Sequence, residues 1–168
     1  MSPHGSLRLA RAAACALAAL LLTACTAGAP TGPTGAPRTV TLGNRLPLRL
    51  ELPPGYELQV ERAATFDIFQ IARVPPAPLA KDTTLGIFVG MPYAPYCPPD
   101  TGSYRPAAFH AWNARWHLCR EPGADARVWE ADIVRGTPVP LHVFIIGTDA
   151  AEIQRLRAIA ETLRPGGG

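Results

Sequence analysis

The sequence predicts an α+β domain in which a single, mostly antiparallel sheet of about five or six strands carries a C-terminal helix packed across it. Between residues 46 and 146, short segments of alternating polar and apolar residues are separated by turns rich in proline and glycine, and an amphipathic segment follows at 150–163. Alternation with a period of two is typical of a strand that buries one face. A sheet with one face covered by a helix is a two-layer arrangement of the α+β class.

The first two strands are predicted from a regular alternation of side chains. Leucine occupies every second position of 46–52, and a second alternating segment covers 56–61. Pro53-Pro54-Gly55 lies between them. It predicts a turn, because proline presets φ at the first turn position and glycine accepts the positive φ that follows.

The next two segments predict strands nearer the middle of the sheet. Residues 66–74 are apolar on both faces, which is expected of a central strand. In 84–91 one face is apolar throughout, whereas Gly86 and Gly90 flank Phe88 on the other. The missing side chains leave room for a neighbouring group to pack closely on that face.

Two further strands are predicted at 128–134 and 139–146, and the intervening residues 135–138 have the composition of a tight hairpin turn. The preceding region is ambiguous. Residues 106–112 are compatible with a short second helix, but 112–118 are equally compatible with a strand. The sequence leaves this alternative open.

The C-terminal helix is predicted from its first turn. Asp149 is an N-cap residue, and Glu152, three positions later, is the partner expected in a capping box. The predicted helix covers 150–163. Its apolar stripe, which we expect to lie on the sheet, consists of Ile153, Leu156, Ala160 and Leu163, with Ile159 beside it.

An apolar leader precedes the domain. Residues 12–24 are 13 residues without a charge, and they follow Arg8 and Arg11. As a helix this run spans roughly 20 Å at about 1.5 Å per residue, which is shorter than a bilayer core of about 30 Å. A short apolar run behind positive charge is typical of a secretory signal. The alternative is a buried N-terminal helix of a cytosolic protein.

The leader ends in Leu22-Thr23-Ala24-Cys25, which resembles the lipobox of bacterial lipoproteins. The resemblance implies that 1–24 is a signal peptide removed before Cys25. It also implies that Cys25 carries a diacylglycerol and, in many bacteria, an N-acyl chain such as palmitate; two or three chains make a practically permanent anchor. In enterobacterial lipoproteins an aspartate after the cysteine favours retention in the inner membrane. Because Thr26 stands there in this chain, the resemblance further implies, for a Gram-negative host, the outer membrane, with the domain facing the periplasm.

Residues 25–38 join the predicted anchor to the domain. Positions 26–37 contain only Thr, Ala, Gly and Pro, and Arg38 closes the segment. Without large apolar side chains to bury, this segment is predicted to be an extended, flexible tether. Residues 39–164 are long enough for one domain with a single core, and 165–168 are predicted to be a frayed tail.

The balance of charge excludes one class of partner. The chain has 16 basic and 13 acidic residues. Removal of Arg8 and Arg11 with the leader leaves 14 basic residues, so the domain is nearly neutral. Because a nucleic-acid-binding domain has a concentrated basic surface, we predict no nucleic-acid partner.

Cys97 and Cys119 remain in the domain, and an even pair in an oxidising compartment predicts a disulfide. Closing a loop of about two dozen residues is worth roughly 3 kcal/mol in the chain-entropy model. The alternatives are free thiols or a metal site in which His117 and His110 join the two thiolates. Zinc sites usually contain two close ligand pairs, and only one is present in this region. We therefore predict no metal and no other cofactor.

We predict no catalytic site. Glu130 and Asp132 share one face of a strand and are a candidate carboxylate pair, but alternating acids on an antiparallel sheet are more typical of its solvated face. His142 lies on the apolar side of its strand, where a lone histidine is typical of the core or of an interface rather than of a general base. Ser103 lacks the flanking glycines of a nucleophile elbow.

Aromatic and arginine residues concentrate in the same region as the cysteines, and both types are enriched at binding hot spots. The candidate binding surface consists of Tyr93, Tyr96, Trp112, Arg115, Trp116 and Arg120. The alternative is that the two tryptophans fill the core around the disulfide.

Three segments carry a further resemblance: LPPGY at 52–56, TLGIFVG at 84–90, and the strand 141–146 that runs into the helix 149–164. Their order resembles that of small α/β-sandwich lipoproteins of the PsbP-like superfamily. Because that fold serves more often as a docking or assembly module than as an enzyme, the resemblance implies a non-catalytic role.

These observations predict a lipid-anchored envelope protein that docks to another envelope protein, while Cys25 holds it to the membrane. One alternative is an envelope module that binds a small ligand or a polysaccharide through Trp112 and Trp116. Another is a hydrolase or metal-dependent enzyme that uses one of His110, His117 and His142 with Glu130 or Asp132.

Overall fold

The computed structural model describes residues 35–43, 46–74, 83–90, 95–109, 111–120, 125–133 and 137–167. Over these residues the chain forms strands and one helix, with the following bounds: β1 Arg38–Leu42, β2 Leu48–Leu52, β3 Tyr56–Arg62, β4 Phe66–Arg73, β5 Thr84–Gly90, β6 Ser103–Pro106, β7 Arg115–Arg120, β8 Arg127–Ile133, β9 Leu141–Gly147, α1 Ala150–Glu161 and β10 Arg164–Pro165.

The strands form two antiparallel sheets, so the predicted single sheet of five or six strands is wrong. The larger sheet has seven strands in the order β3-β4-β5-β9-β8-β7-β6, and the smaller has three in the order β1-β2-β10. With α1 as the one helix among the described residues, the fold is mostly β rather than α+β.

The extra strands explain why the prediction failed. β6 is exposed along its whole length and β10 has only two residues, so neither shows the alternation that predicts a strand. β2 and β3 alternate as predicted, but they do not pair with each other: β2 pairs with β1 and β10, whereas β3 pairs with β4. The turn at 53–55 therefore carries the chain from one sheet to the other.

The helix begins where the sequence predicts. The Asp149 side chain accepts the backbone N–H groups of Ala151 and Glu152 at 2.8 and 3.0 Å, which caps the first turn. In a capping box the Glu152 carboxylate would accept a hydrogen bond from the N–H of Asp149. Here it accepts hydrogen bonds from the Tyr56 hydroxyl and from Arg155 Nη1, each at 2.7 Å. The first turn is thereby attached to strand β3.

The main core lies on one face of the larger sheet. Helix α1 contacts β5 and β9 of that sheet and β2 of the smaller one, so it joins the two sheets. The predicted apolar stripe is buried: Ile153, Leu156, Ile159, Ala160 and Leu163 are each at most 3% exposed. They pack with the leucines of β2 in one apolar cluster.

The ambiguous region 106–118 forms no helix among its described residues. β6 ends at Pro106, and β7 begins at Arg115. Trp116 of β7 is fully buried, donates its indole N–H to Glu161 at 2.8 Å, and lies 5.3 Å from the ring of Phe109. Phe109 and Trp116 are therefore part of the core beneath the helix.

The opposite face of the larger sheet carries the close packing expected at glycine. Gly86 pairs with Phe144 across β5 and β9, and a Cβ atom at Gly86 would overlap the Phe144 ring. Tyr96 packs on the same ring at 5.2 Å. Because Gly86 has no side chain, the Phe144 ring packs directly on the sheet at this position.

The end of the chain is partly held by the smaller sheet. Arg164 and Pro165 pair with Arg49 and Leu48, and the Gly166 N–H donates to the Pro47 carbonyl at 2.7 Å. The first residues of the segment predicted to fray at 165–168 thus form hydrogen bonds.

The predicted signal peptide, Cys25 and residues 26–34 of the predicted tether lie outside the described residues. Within the part of the chain that the structure describes, no helix combines the length and apolar character needed to cross a membrane.

Candidate functional site

Cys97 and Cys119 are joined by the predicted disulfide, with an S–S distance of 2.12 Å and Cα atoms 5.6 Å apart. The bond connects the segment 95–102 to strand β7. Both cysteines are buried, and they pack with Val128 in a small cluster separate from the main core. The alternative metal site with two thiolates is not formed in this oxidised state, and His110 lies outside the described residues.

Glu130 is buried at the centre of this region, with only 3% of its surface exposed. Its Oε2 accepts the Tyr96 N–H at 2.9 Å, and its Oε1 accepts the Cys97 N–H at 3.0 Å. The interpretation of Glu130 as part of a solvated face is therefore wrong. The reason is that the segment carrying Tyr96 and Cys97 covers this part of β8.

His117 lies directly opposite Glu130, on the neighbouring strand β7. Its Nε2 donates to the Thr101 carbonyl, because a carbonyl oxygen can only accept. Its Nδ1 lies 3.6 Å from Glu130 Oε1. Tyr104 stacks on the imidazole, with ring centroids 4.5 Å apart. The orientation of the His117 ring is thus set by a backbone carbonyl and a stacked ring.

His142 lies on the other side of Glu130, on strand β9. Its side chain is 1% exposed, its Nδ1 donates to Asp132 Oδ1 at 2.8 Å, and its Nε2 is 3.8 Å from Glu130 Oε2. Asp132 itself is 51% exposed, as expected of a solvated face. The four side chains form a continuous polar row across β7, β8 and β9: His117, Glu130, His142 and Asp132.

A cavity of about 380 Å³ opens beside this row. The Arg115 guanidinium lies 4.8 Å from the ring centroid of Tyr104, which stabilises both side chains at the cavity. The lining is mostly polar and consists of Tyr104, Asn113, Ala114, Arg115, His117, Glu130 and Asp132.

The structure does not bring the predicted binding surface together. Successive residues of a strand point to opposite faces. Trp116 therefore enters the core beneath α1, whereas Arg115 shares the cavity face with His117. Trp112 is also buried, at 7% exposure, and both tryptophans belong to the main core rather than to the disulfide cluster.

The remaining members of that predicted surface do not lie around the two tryptophans. Arg120 is exposed at the end of β7, and Tyr96 is 45% exposed. Tyr93 lies outside the described residues. Sequence reasoning missed Tyr104, which is 52% exposed and borders the cavity; its position in register with His117 was not visible because β6 has no strand pattern.

The hydrolase alternative required histidines and acids to converge, and His117, His142, Glu130 and Asp132 do so. The convergence places them against one another and against the backbone. Ser103 is paired with Leu118 and lies on the opposite face of the sheet from His117. Ser103 is therefore not a nucleophile for this histidine.

A second buried cluster lies at the start of α1. The Glu152 carboxylate is 1% exposed and contacts Arg73 Nε at 3.4 Å in addition to Arg155 and Tyr56. Burial, and then donation of the Tyr56 hydroxyl to Glu152, raise the pKa of Tyr56 to about 12. Because Tyr56 and Arg73 are paired on β3 and β4, this cluster attaches the helix to the sheet.

Comparison of the chain with models of protein families, with curated proteins and with solved structures gives no significant match.

Proposed function

We propose that this chain is a lipid-anchored protein of the cell envelope, whose domain docks to another envelope component without catalysing a reaction. The observation that carries the location is the pairing of Cys97 with Cys119. Disulfides persist in oxidising compartments outside the cytoplasm. This agrees with export through the apolar leader and with acylation of Cys25 in the sequence Leu22-Thr23-Ala24-Cys25.

The outer membrane, with the domain facing the periplasm, is part of the proposal. It rests on Thr26 after the acylated cysteine. The near neutrality of the domain agrees with a protein or small-molecule partner rather than nucleic acid.

A non-catalytic role is supported by how the polar row is used. Both oxygens of Glu130 accept backbone N–H groups of the disulfide segment. The Nε2 of His117 donates to Thr101, and the Nδ1 of His142 donates to Asp132. The contacts of Glu130 and His117 hold the segment 95–102 on the sheet, and the His142–Asp132 contact joins β9 to β8; both are structural tasks.

The proposed docking surface is formed by Tyr96, Tyr104 and Arg115, which we call the tyrosine–arginine surface. The two tyrosines are 45% and 52% exposed, and Arg115 is exposed beside the ring of Tyr104. Tyrosine and arginine are enriched among the residues that carry most of the energy at protein interfaces. The disulfide segment 95–102 carries Tyr96, strand β6 carries Tyr104 and strand β7 carries Arg115.

Mass spectrometry of the native protein tests the anchor. We expect a mature N-terminus at Cys25 carrying lipid, and the loss of lipid and of membrane association in C25S. The matched control is C15S, which removes the other leader cysteine and should leave processing unchanged. An intact Met1, or an unmodified thiol at Cys25, would refute the proposed location.

Crosslinking in intact envelopes tests the docking surface. Photo-crosslinkers placed at Tyr96 and Tyr104 should yield one discrete adduct, and the substitution R115A should reduce its yield at least several-fold. R62A, which removes an exposed arginine of β3, is the matched control. Crosslinks unaffected by R115A, or equally reduced by R62A, would contradict docking through this surface.

A second candidate function is the binding of a small polar solute. It is favoured by the cavity of about 380 Å³, whose lining includes both a cationic and an anionic group, Arg115 and Asp132. Burial of Trp112 and Trp116 removes the stacking platforms on which polysaccharide binding was predicted. Displacement of protein crosslinks by a low-molecular-weight envelope extract would favour this second function.

A further inference from the structure

We propose that the thiol form of this protein contains a transition-metal site made of Cys97, Cys119, His117 and Glu130, and that formation of the disulfide closes the site. The ligand class is a divalent cation that accepts sulfur, nitrogen and oxygen donors, with zinc as the expected ion. The inference goes beyond envelope docking and does not depend on it.

The donor atoms already lie together in the oxidised protein. The Sγ of Cys97, a ring nitrogen of His117 and a carboxylate oxygen of Glu130 all lie within 4.8 Å of one another, and all three residues are buried. The Sγ of Cys119 is bonded to that of Cys97. Two sulfurs, one nitrogen and one oxygen make four donors, each of a type that binds zinc, and four is the number that a tetrahedral zinc site uses.

Outer contacts hold two of these ligands in orientation. The His117 Nε2 donates to the Thr101 carbonyl, so the lone pair of the neutral ring is on Nδ1, which lies 3.6 Å from Glu130 Oε1. Histidines that bind metals almost always donate their second ring N–H in this way. Glu130 is oriented by the N–H groups of Tyr96 and Cys97.

The disulfide prevents binding because the thiolate, not a disulfide sulfur, is the metal ligand. A dithiol reductant would transfer two electrons and two protons to the Cys97–Cys119 bond, and would itself become a disulfide. Metal binding would then displace the two thiol protons to solvent. The cation also offsets the charge of two thiolates beside Glu130, which an apolar environment would otherwise disfavour.

The site requires only a local movement. At Zn–S distances of about 2.3 Å, the two sulfurs of a tetrahedral site lie about 3.8 Å apart, so they must separate once the bond is broken. Residues 98–102, which follow Cys97, are exposed. Cys97 and Cys119 also belong to a small cluster apart from the main core. The segment 95–102 can therefore shift without disturbing the packing beneath α1.

Cobalt titration tests the proposal. The full-length chain carrying C15S and C25S retains only Cys97 and Cys119 as cysteines. After anaerobic reduction with a phosphine and its removal, we expect one Co²⁺ per chain, with thiolate charge-transfer absorption and the intense visible bands of tetrahedral cobalt. Zn²⁺ should displace the cobalt, and the oxidised protein should show none of these bands.

Variants separate the four-ligand site from binding by the thiols alone. H117Q and E130Q should each weaken Co²⁺ binding at least about tenfold, since loss of an outer group alone costs about 10–100-fold. E57Q, which changes an exposed carboxylate of β3, should leave binding unchanged.

Two results would overturn the metal site. The first is a reduced protein without the tetrahedral spectrum, whether folded or unfolded by circular dichroism. The second is an affinity that neither H117Q nor E130Q changes.

Discussion

Glu130 fastens the disulfide segment to the sheet, and its replacement by glutamine should lower the free energy of unfolding of the oxidised protein by about 2–4 kcal/mol. Two backbone N–H groups donate to the carboxylate at 2.9 and 3.0 Å. A hydrogen bond to a charged group contributes about 1.5–3 kcal/mol, and a buried donor left unsatisfied costs about 1–3 kcal/mol.

The expected loss of stability follows from the hydrogen bonds that the glutamine amide can still accept. Glutamine keeps one acceptor oxygen, so one of the two bonds survives, while its NH₂ group must face a backbone N–H that also donates. The neutral amide is cheaper to bury than the carboxylate, which offsets part of the loss. The net effect is about one charged hydrogen bond and one unsatisfied donor.

Urea denaturation of oxidised E130Q measures this change. The midpoint should fall while the dependence on denaturant is unchanged, because the surface exposed on unfolding is the same. The matched control is E57Q, at an exposed position of β3, which should stay within about 0.5 kcal/mol of the wild type.

Hydrogen exchange locates the effect. The amides of Tyr96 and Cys97 should exchange faster in E130Q than in the wild type, while the amides of β2 should be unchanged. A loss of stability below about 0.5 kcal/mol, or unchanged exchange at Tyr96 and Cys97, would refute the role assigned to Glu130.

Three further predictions follow from other contacts. Reduction of the Cys97–Cys119 bond, which spans 22 residues, should cost about 3 kcal/mol and several degrees of thermal midpoint; an unchanged midpoint would contradict the bridge. G86A should lower the free energy of unfolding by about 1–3 kcal/mol, because its Cβ would overlap the Phe144 ring. In an F144A background the same substitution should cost less, and equal costs in this double-mutant cycle would exclude the clash. The pKa of Tyr56 is raised to about 12, so the hydroxyl loses its proton near pH 10 in the unfolded chain but only near pH 12 in the folded protein. The free energy of unfolding should therefore fall between about pH 10 and pH 12. Denaturation measured across this range should show the fall in the wild type and not in Y56F.

Several local elements were predictable because their signals are contained within a few residues. The alternation of residues 46–52 predicted β2, and that of 56–61 predicted β3. Asp149 predicted the start of α1, since an N-cap side chain acts on N–H groups two and three positions later. These elements were predicted near their observed bounds.

The number of sheets was not predictable in the same way. β2 has the same alternation whether it pairs with β1 and β10 or with β3, because alternation reports which side chains share a face and not which strand lies alongside. β10 is a strand only because Arg164 and Pro165 lie against β2. The prediction therefore counted regular segments and assigned them to one sheet.

The candidate site shows the same division. Glu130 and Asp132 share a face of β8, as predicted, yet one is buried and the other exposed. Tyr96 and Cys97, more than 30 residues earlier in the chain, cause this difference in burial. Their N–H groups donate to Glu130, and the segment that carries them covers Glu130 but leaves Asp132 exposed. His117 and His142 are likewise brought to Glu130 from strands β7 and β9 on either side.

The sequence by itself predicted three features: the strands with strict alternation, the helix that Asp149 caps, and the pairing of Cys97 with Cys119. The strands and the helix depend on residues close in the chain, and the disulfide depends on a choice among few cysteines. The leader and Leu22-Thr23-Ala24-Cys25 likewise predict the lipid anchor from sequence alone. Only the tertiary structure decided that two sheets form and that Trp116 is buried. It also decided that Glu130 lies between two histidines beneath the disulfide segment, because burial depends on which distant part of the chain covers a face.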